Sequence, residues 1–338
     1  MNIGVVGATG MVGEVFMEIL GKRNFPVKSL RPFASERSEG LKISACGKEW
    51  PVETLKPGCF DGLDLVFFSS GDDISKEWAP QAVQSGAFAV DNSAAFRMHP
   101  NFPLVVPEVN ANALPDRKNP TIIANPNCST IQLVVALHAL RKFGLKEVRV
   151  ATYQSVSGAG KVGPEELLLQ SKEYIETGAI QTPPKTFAHN IAFNCLPHIG
   201  SFNDQGYCSE EIKIINETKK ILDLPKLRVS AFTVRVPSLN SHSEAAWVTF
   251  ENKVSKDDVC AALKNGEGIQ FIPQREPQEY PTSQSASGQN PVFVGRVHQD
   301  LGDPNTWLMW IVADNILKGA ALNGIQIAER IYGITPKI

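Results

Sequence analysis

The six cysteines of this sequence include no Cys-x-x-Cys pair and follow no repeated spacing. Zinc sites and disulfide frameworks usually show such spacing, so we expect neither of them, and no other metal site is indicated. No apolar run approaches the ~18 residues that a membrane span requires, and no basic segment precedes an apolar stretch. The sequence therefore predicts a protein of the reducing cytoplasm that has no membrane partner.

An excess of charge of either sign is also missing. The chain has 33 Lys and Arg against 35 Asp and Glu, for a net charge of −2, and its pI is near 6.3. This balance offers no basic surface to a nucleic-acid backbone, so we expect no nucleic-acid partner. The 338 residues are 43% hydrophobic and 20% charged, which is typical of a globular chain long enough for two domains.

The chain opens with an apolar strand, a glycine turn and an amphipathic helix. The glycines of the turn stand three residues apart, which is a variant of the dinucleotide fingerprint. Missing side chains let a pyrophosphate approach the helix N-terminus. Tight turns also use glycines, but the position between strand and helix favours a cofactor. The candidate cofactor-binding residues of this turn are Gly7, Thr9, Gly10, Met11, Val12 and Gly13.

A polar turn after the second predicted strand bears on the choice between NADP and NAD. Arg37, with Ser35 and Ser38, would suit the 2′-phosphate of NADP. Glu36 or Glu39 could instead accept the ribose hydroxyls of NAD. We favour NADP(H), because an arginine and two hydroxyls match a phosphate.

Further strands and helices alternate up to residue 127. One buried strand leads to Ser70, whose small side chain could lie against the ribose or the nicotinamide of the cofactor. Another strand leads into a loop with Arg97, whose planar guanidinium could bind an oxyanion; the alternative is a surface arginine. The alternation predicts an α/β fold with a Rossmann-type, doubly wound parallel sheet.

Cys128 stands directly before an apolar helix predicted at 131–143. Unpaired N–H groups and the dipole at a helix N-terminus favour a thiolate over a thiol. The same N–H groups could hold an oxyanion formed on an attacked carbonyl. A covalent cysteine enzyme needs this geometry. The alternative is that Cys128 is a small buried hydrophobe, as most unbridged cysteines are.

Beyond the cysteine, the pattern of the strands changes. Segments that alternate between apolar and polar residues predict an α+β domain with a mostly antiparallel sheet. A last helix at 314–330 is predicted to return to the first domain. The predicted domains are 1–128 with 314–338, and 129–313.

Three polar positions of the second domain could meet a ligand. Glu210 and Lys213 share one face of a predicted helix. Arg235 ends a predicted strand, and His242 lies in the turn that follows. A thiolate needs a base that titrates near neutral pH, and histidine is that side chain. The other histidines are His99, His138, His189, His198 and His298.

Six segments, taken in order, resemble aspartate-semialdehyde dehydrogenase of the bacterial type from end to end. They are 7–13, 91–97, 125–130, 210–213, 235–244 and 314–321. The resemblance implies an NADP-binding Rossmann domain and a catalytic and dimerisation domain. It also implies an NADP-dependent enzyme of lysine (through diaminopimelate), threonine and methionine synthesis. Such an enzyme reversibly reduces L-aspartyl 4-phosphate to the 4-semialdehyde with release of inorganic phosphate, and forms a homodimer or a homotetramer made of two dimers.

The resemblance also implies residue roles. Cys128 would form a thioester with the substrate, and His242 would be the acid–base catalyst. Arg235 would bind the α-carboxylate, Glu210 the α-amino group, and Gln154 would orient the substrate. The remaining implied residues are Arg97 and Lys213 as phosphate ligands, Asn127 as a substrate contact, and Ser157, Gly158 and Asn315 as cofactor contacts.

Two features depart from the family, a segment rich in Ser and Gln at 280–291 and the residue before His242, and three alternatives stay open. Glycine usually precedes the histidine in this family, whereas this chain has Ser241, which would be strained at positive φ and could move His242. The first alternative, N-acetyl-γ-glutamyl-phosphate reductase, typically has glycine where this chain has Asn127. Glyceraldehyde-3-phosphate dehydrogenase uses the same thioester chemistry in a different sequence context. The third alternative is a catalytically silent NADP-binding sensor.

Overall fold

The computed structural model describes residues 1–23 and 25–335. The chain forms two compact units, Met1–Asn127 with Ala320–Ile338, and Cys128–Gly319. The functional domains stay a prediction, and residues 336–338 of the first predicted domain lie outside the described residues. Within the described ranges, no helix is both long enough and apolar enough to cross a membrane.

The first unit is an α/β structure. Its strands are β1 (Asn2–Val6), β2 (Ser29–Ala34), β3 (Lys42–Ala45), β4 (Lys48–Pro51), β5 (Glu53–Thr54), β6 (Leu65–Phe68), β7 (Phe88–Asp91) and β8 (Ile122–Ala124). Its first three helices are α1 (Met11–Lys22), α2 (Asp72–Gln84) and α3 (Pro107–Asn110). Short 3₁₀ turns occur at Glu36–Ser38 and Ala111–Ala113.

Six of these strands form one sheet in the order β5-β2-β1-β6-β7-β8. All of its neighbouring pairs run parallel, so the predicted parallel sheet is confirmed. The strand order reverses at β1, which lies between β2 and β6. Ligands of doubly wound sheets bind at such a point, outside the carboxyl ends of the strands. The glycine turn after β1 and Ser70 after β6 both lie at this edge.

The second unit combines helices with another sheet. Its strands are β9 (Leu145–Gln154), β10 (Arg228–Arg235), β11 (His242–Phe250), β12 (Ile269–Phe271), β13 (Val292–Gln299) and β14 (Thr306–Ala313). Its helices are α4 (Cys128–Leu140), α5 (Val162–Thr177), α6 (Ser209–Ile221), α7 (Lys256–Lys264) and α8 (Ser283–Ala286). The last helix of the chain, α9 (Leu322–Tyr332), belongs to the first unit. Short 3₁₀ turns occur at Arg141–Phe143 and Val156–Ala159.

The second sheet has the order β10-β9-β11-β14-β13-β12. The three central pairs are antiparallel, whereas β10 pairs with β9, and β12 with β13, in parallel. The predicted mostly antiparallel sheet is therefore confirmed. Helix α4 packs on this sheet and on α6 and α7, and its residues 129–137 are all buried. A helix that is buried on nearly every side has a fixed position, and so has its first residue.

Two predicted elements differ from the structure. The predicted helix at 314–330 is wrong at its start, because a π-helical turn at Leu317–Ala321 precedes α9. The Asp314 carboxylate accepts the N–H groups of Ile316 and Leu317 and so ends β14 in a tight turn. His242, predicted in a turn, is the first residue of β11. Residues 236–241 connect β10 to β11, and Ser241, the last of them, has a φ of 69°.

A buried ion pair joins α1 to α9 within the first unit. Nε of Arg23 lies 2.7 Å from Oε1 of Glu329, and Nη2 lies 2.8 Å from Oε2. The Glu329 side chain is only 6% exposed. We expect Glu329→Ala to lower the free energy of unfolding by about 3 kcal/mol, because it leaves a guanidinium that is only 17% exposed without its partner.

Urea titration of the full chain measures this loss. The matched control is Glu18→Ala, which breaks the exposed Lys22–Glu18 pair on the same helix and should cost less than about 1 kcal/mol. The double variant Arg23→Met with Glu329→Leu should recover most of the loss, since no charge is then left unpaired. Equal losses for Glu329→Ala and Glu18→Ala would contradict the expectation.

Candidate active site

Cys128 is the first residue of α4 and is partly exposed. Gly319, in the π-helical turn, packs directly against it. A Cβ on Gly319 would lie 2.9 Å from Cβ of Cys128 and 3.3 Å from its Cα. The close fit explains why this turn carries a glycine, and it fixes the backbone that presents the thiol.

His242 is fully buried, with 0% exposure. The backbone N–H of Ser155 donates to its Nδ1 at 3.0 Å. Nδ1 is therefore an acceptor, and the proton of the neutral ring is on Nε2. Nε2 lies 3.5 Å from Nε2 of Gln154.

The electrostatic surroundings of His242 keep the ring neutral. Removal from water, together with the positive charge of Arg235, lowers the pKa of His242 to about 3. The charge of Glu210 acts in the opposite direction but does not offset burial. The histidine is thus a neutral donor at Nε2 over the physiological range.

Arg235 ends β10 and is 6% exposed. Its Nη1 donates to the carbonyl of Ser155 at 2.6 Å, and a Cβ on Gly158 would lie 2.8 Å from the same nitrogen. Burial lowers the pKa of Arg235, while the charges of Glu210 and Cys128 act to raise it. Since a guanidinium stays protonated in proteins, Arg235 is a fixed cation near the thiol.

Gln154 and Glu210 continue the cluster. Nε2 of Gln154 donates to Oε1 of Glu210 at 3.1 Å, and its Oε1 accepts from the Thr152 hydroxyl at 3.0 Å. Oε2 of Glu210 lies 3.3 Å from Nζ of Lys213. The predicted shared face of Glu210 and Lys213 is confirmed, and the glutamate end is buried rather than solvated. One buried carboxylate thus contacts both a neutral amide and a cation.

A network of hydroxyl and amide groups lies behind the histidine. Oδ1 of Asn315 accepts from the Ser155 hydroxyl at 3.1 Å and from the Ser241 N–H at 2.9 Å. The Ser157 hydroxyl lies 3.0 Å from that of Ser155. A serine at the φ of 69° seen for Ser241 costs roughly 1–2 kcal/mol. The strain expected at Ser241 is present, and His242 nevertheless keeps its bond to Ser155.

In the first unit, the glycine turn fits a pyrophosphate. Gly7 has a φ of 80°, and a Cβ there would lie 2.7 Å from the Ser69 carbonyl oxygen. A Cβ on Gly13 would lie 2.2 Å from the Gly7 carbonyl oxygen. Gly10 has no side chain to cap α1, so an anion can approach the N–H groups of Met11 and Val12. Thr9 lies in the same turn and is partly exposed.

The residues predicted to choose between NADP and NAD lie just after β2. Arg37 is exposed in the 3₁₀ turn, Ser35 is exposed and Ser38 is half-buried. The Glu39 carboxylate already accepts from the Thr54 hydroxyl at 3.2 Å, whereas Glu36 is exposed. After β6, the Ser70 hydroxyl is buried and has no hydrogen-bond partner among the described residues. A polar group of a ligand would satisfy it.

Arg97 and Asn127 are buried in the first unit, with exposures of 8% and 5%. Nε of Arg97 donates to the carbonyl of Asn125, and Nη2 donates to that of Asn92, both at 2.9 Å. Two backbone contacts thus fix the plane of the guanidinium. Asn127 directly precedes Cys128 in the chain. Arg97 is therefore an oriented cation rather than a flexible surface arginine.

Sequence reasoning missed three residues of the second unit. Ser155 lies within the strand predicted at 147–156 like any other polar residue, although its N–H fixes the tautomer of His242. Gly319 was part of a segment recognised only by resemblance. Glu244 follows His242 by two residues and is fully buried. The alternation of apolar and polar residues in a strand does not indicate that this polar residue is buried.

Comparison with known proteins shows which proteins this chain resembles. A family model for semialdehyde dehydrogenase, NAD binding domain, matches residues 2–117, and one for semialdehyde dehydrogenase, dimerisation domain, matches residues 137–318. The aspartate-semialdehyde dehydrogenase of Aquifex aeolicus is 47% identical over 330 residues, which is 97% of this chain and 97% of that protein.

Solved structures agree. Aspartate semialdehyde dehydrogenase II from Vibrio cholerae, complexed with ASA, has a TM-score of 0.94 at 41% identity and covers 98% of both chains. Aspartate semialdehyde dehydrogenase with NADP from Candida albicans has a TM-score of 0.76 at 26% identity, with 99% of both chains covered. A cysteine at a helix start, a buried histidine and a carboxylate–cation cluster thus occur in a chain that matches these proteins along its whole length, and the chain belongs to the aspartate-semialdehyde dehydrogenase family.

Proposed function

We propose that this protein catalyses the NADPH-dependent, reversible reduction of L-aspartyl 4-phosphate to L-aspartate 4-semialdehyde, with release of inorganic phosphate. The reaction would supply lysine, threonine and methionine synthesis. The observation that carries the proposal is the cluster of the second unit, in which a buried cation and a neutral histidine lie near a helix-start cysteine. The full-length match to the Aquifex aeolicus protein supports the substrate.

Cys128 is the proposed nucleophile. The N–H groups and the dipole at the start of α4 favour its thiolate, and the charge of Arg235 acts in the same direction. The thiolate attacks the 4-carbonyl of the acyl phosphate, so that a carbon–sulfur bond forms. The carbon–oxygen bond to phosphate then breaks, and phosphate leaves with the electron pair. The N–H groups at the helix start would hold the oxyanion of the tetrahedral adduct.

The proposed role of His242 depends on its tautomer. With the proton on Nε2, the neutral ring donates a hydrogen bond to the oxyanion on the substrate carbon. To act as a base at Nε2, the ring has to carry its proton on Nδ1 instead. The Ser155 hydroxyl, 3.1 Å from Nδ1, can accept from that second tautomer. Ser155 therefore offers a partner to both forms of the catalyst.

NADPH would supply the hydride to the thioester carbon; the carbon–sulfur bond would then break, which frees the aldehyde and returns Cys128 as a thiolate. In the first unit, Gly7–Gly13 would hold the pyrophosphate, Arg37 with Ser35 and Ser38 the 2′-phosphate, and Ser70 the ribose or nicotinamide. Ser157, Gly158 and Asn315 are further proposed cofactor contacts. The uncapped start of α1 and the unsatisfied Ser70 hydroxyl support these assignments.

The charges of the remaining residues suit an amino-acid phosphate. Arg235 would bind the α-carboxylate and Glu210 the α-amino group, with Gln154 orienting the substrate between them. N-acetyl-γ-glutamyl phosphate has no free amino group, so it would offer no ammonium ion to the Glu210 carboxylate. Arg97 and Lys213 are the proposed phosphate ligands, because a dianion requires two cations. Asn127 would contact the substrate next to the nucleophile.

We further propose a cytoplasmic homodimer, which could pair into a homotetramer. The six cysteines are thiols rather than disulfides, as expected in a reducing compartment. One face of the second sheet carries large side chains that α4 does not cover. Phe232 is 57% exposed and Tyr153 39%, and the Tyr153 ring lies 5.4 Å from that of Trp310. An apolar face of this kind suits a second copy of the chain.

The direct test is phosphate-dependent reduction of NADP⁺ by the purified protein. We expect turnover with L-aspartate 4-semialdehyde, little with N-acetyl-glutamate semialdehyde, and a clear preference for NADP⁺ over NAD⁺. The rates are measured by the absorbance of the reduced cofactor, with and without inorganic phosphate. A protein that binds NADP(H) but turns over neither aldehyde would be the silent sensor.

The cofactor preference is tested at Arg37. We expect Arg37→Ala to raise KM for NADPH by about 10-fold, since a charge-assisted contact contributes roughly 1.5 kcal/mol or more. KM for NAD⁺ should stay the same, because NAD has no 2′-phosphate. Glu36→Gln, in the same turn, is the matched control and should not weaken NADPH binding. An unchanged KM for NADPH in Arg37→Ala would contradict the assignment of Arg37 to the 2′-phosphate.

His242 is tested by mutation and by pH. We expect His242→Ala to lower kcat by about 10²–10⁴-fold, and Cys128→Ser, which removes the thiolate, to abolish turnover. Because the pKa of His242 is about 3, the ring stays neutral as the pH falls through the ordinary value of histidine. The kcat/KM profile of the wild type should therefore show no acid limb from histidine near pH 6.5. Normal turnover in His242→Ala would disprove the role.

A further inference from the structure

Glu244 is a buried acid that the proposed chemistry does not use. It lies on β11 two residues after His242 and is 0% exposed. In the described part of the chain, neither of its carboxyl oxygens has a hydrogen-bond partner of ordinary geometry. Gln132, one turn after Cys128 on α4, is 1% exposed, and both of its amide atoms lack such a partner as well.

These two unsatisfied side chains are neighbours between α4 and β11. The Gln132 amide is the hydrogen-bonding group that lowers the pKa of Glu244, although burial raises that pKa well above its usual value. The strand neighbours of Glu244 are Thr152 on β9 and Ile311 on β14. The Thr152 hydroxyl donates to Gln154 instead. No charged side chain is among the groups that shift the pKa of Glu244.

We propose that Glu244 is a positioning residue, a carboxylic acid that keeps its proton and pairs reciprocally with the amide of Gln132. The acid O–H donates to Oε1 of Gln132, and Nε2 of Gln132 donates to the acid carbonyl. This arrangement gives every polar atom of the pair a partner. An ionised carboxylate would set one oxygen against Oε1 of Gln132, and a buried charge without a cation is strongly disfavoured.

The pair joins the two elements that carry the reactive groups. Gln132 belongs to the helix that begins at Cys128, and Glu244 to the strand that begins at His242. Holding α4 against β11 therefore fixes the thiol and the imidazole relative to each other. The inference rests on the proposed function of those two residues. The proton on Glu244 matters for the same reason, because a negative charge near the first turn of α4 would oppose the Cys128 thiolate.

Two substitutions of Glu244 test whether its side chain acts as a neutral acid paired with Gln132. Glu244→Gln removes the titratable group but can form the same reciprocal pair with Gln132. Glu244→Leu leaves Gln132 unsatisfied, and we expect it to lower kcat by about 10²-fold through misplacement of the reacting groups, with little change in KM. Glu244→Gln should keep at least about 10-fold more of kcat than Glu244→Leu.

The decisive readouts do not depend on turnover. The infrared difference between wild type and Glu244→Gln at neutral pH should show the carbonyl stretch of a protonated carboxylic acid. The matched control is Glu211→Gln, since the buried Glu211 carboxylate accepts the N–H groups of Cys208 and Thr233 and should contribute only carboxylate bands. The pH midpoint of Cys128 alkylation by iodoacetamide should be the same in wild type and Glu244→Gln.

Three results would overturn the proposal. One is a carboxylate band in place of the acid band. Another is a fall of about one pH unit in the alkylation midpoint of Glu244→Gln, as expected if an ionised neighbour had been removed. The third is wild-type kcat in a folded Glu244→Leu. An acid band in a protein without aspartate-semialdehyde turnover would instead leave the pair in place and refute the proposed function. If Glu244→Leu does not fold, the spectrum and the alkylation midpoint of Glu244→Gln still decide.

Discussion

The burial of α4 is the constraint on which the catalytic unit depends. A helix that packs against the sheet and two other helices has no freedom to shift, so its first turn points its N–H groups in one direction. Cys128 stands at that first turn, and Gly319 fits so closely against it that no Cβ could be added. The position of Cys128, the proposed nucleophile, is thus a consequence of core packing rather than of contacts in an exposed loop.

Burial also decides which groups near the nucleophile are charged. Arg235 stays a cation despite its burial, because a guanidinium does not lose its proton and the charges of Glu210 and Cys128 support it. For His242, burial and the positive charge of Arg235 outweigh the support from Glu210, and the ring becomes neutral. The same low-polarity interior therefore yields one permanent positive charge and one neutral hydrogen-bond donor. An anionic nucleophile and an anionic substrate both gain from that combination.

Much of this arrangement could be predicted from residue order. The strand, glycine turn and helix at the N-terminus specify a parallel sheet, and an apolar run after Cys128 specifies a helix that starts there. Other features depend on partners distant in sequence. The tautomer of His242 is set by the N–H of Ser155. Just before the π-helical turn, the Asp314 carboxylate accepts the N–H groups of Ile316 and Leu317, and Oδ1 of Asn315 accepts that of Ser241. A propensity for helix at 314–330 cannot anticipate those bonds.

Ser241 shows how the fold accommodates a serine at a positive φ, where glycine is ordinarily favoured. The turn before β11 requires a positive φ, which a glycine adopts without cost and a serine does not. The Ser241 N–H is held by Asn315, whose Oδ1 also accepts from Ser155, the residue that orients His242. The Asn315 side chain therefore binds both Ser241 and Ser155, and Ser155 in turn binds the His242 ring. Since the strain is confined to one residue inside this network, the chain can keep the serine without losing the geometry of the histidine.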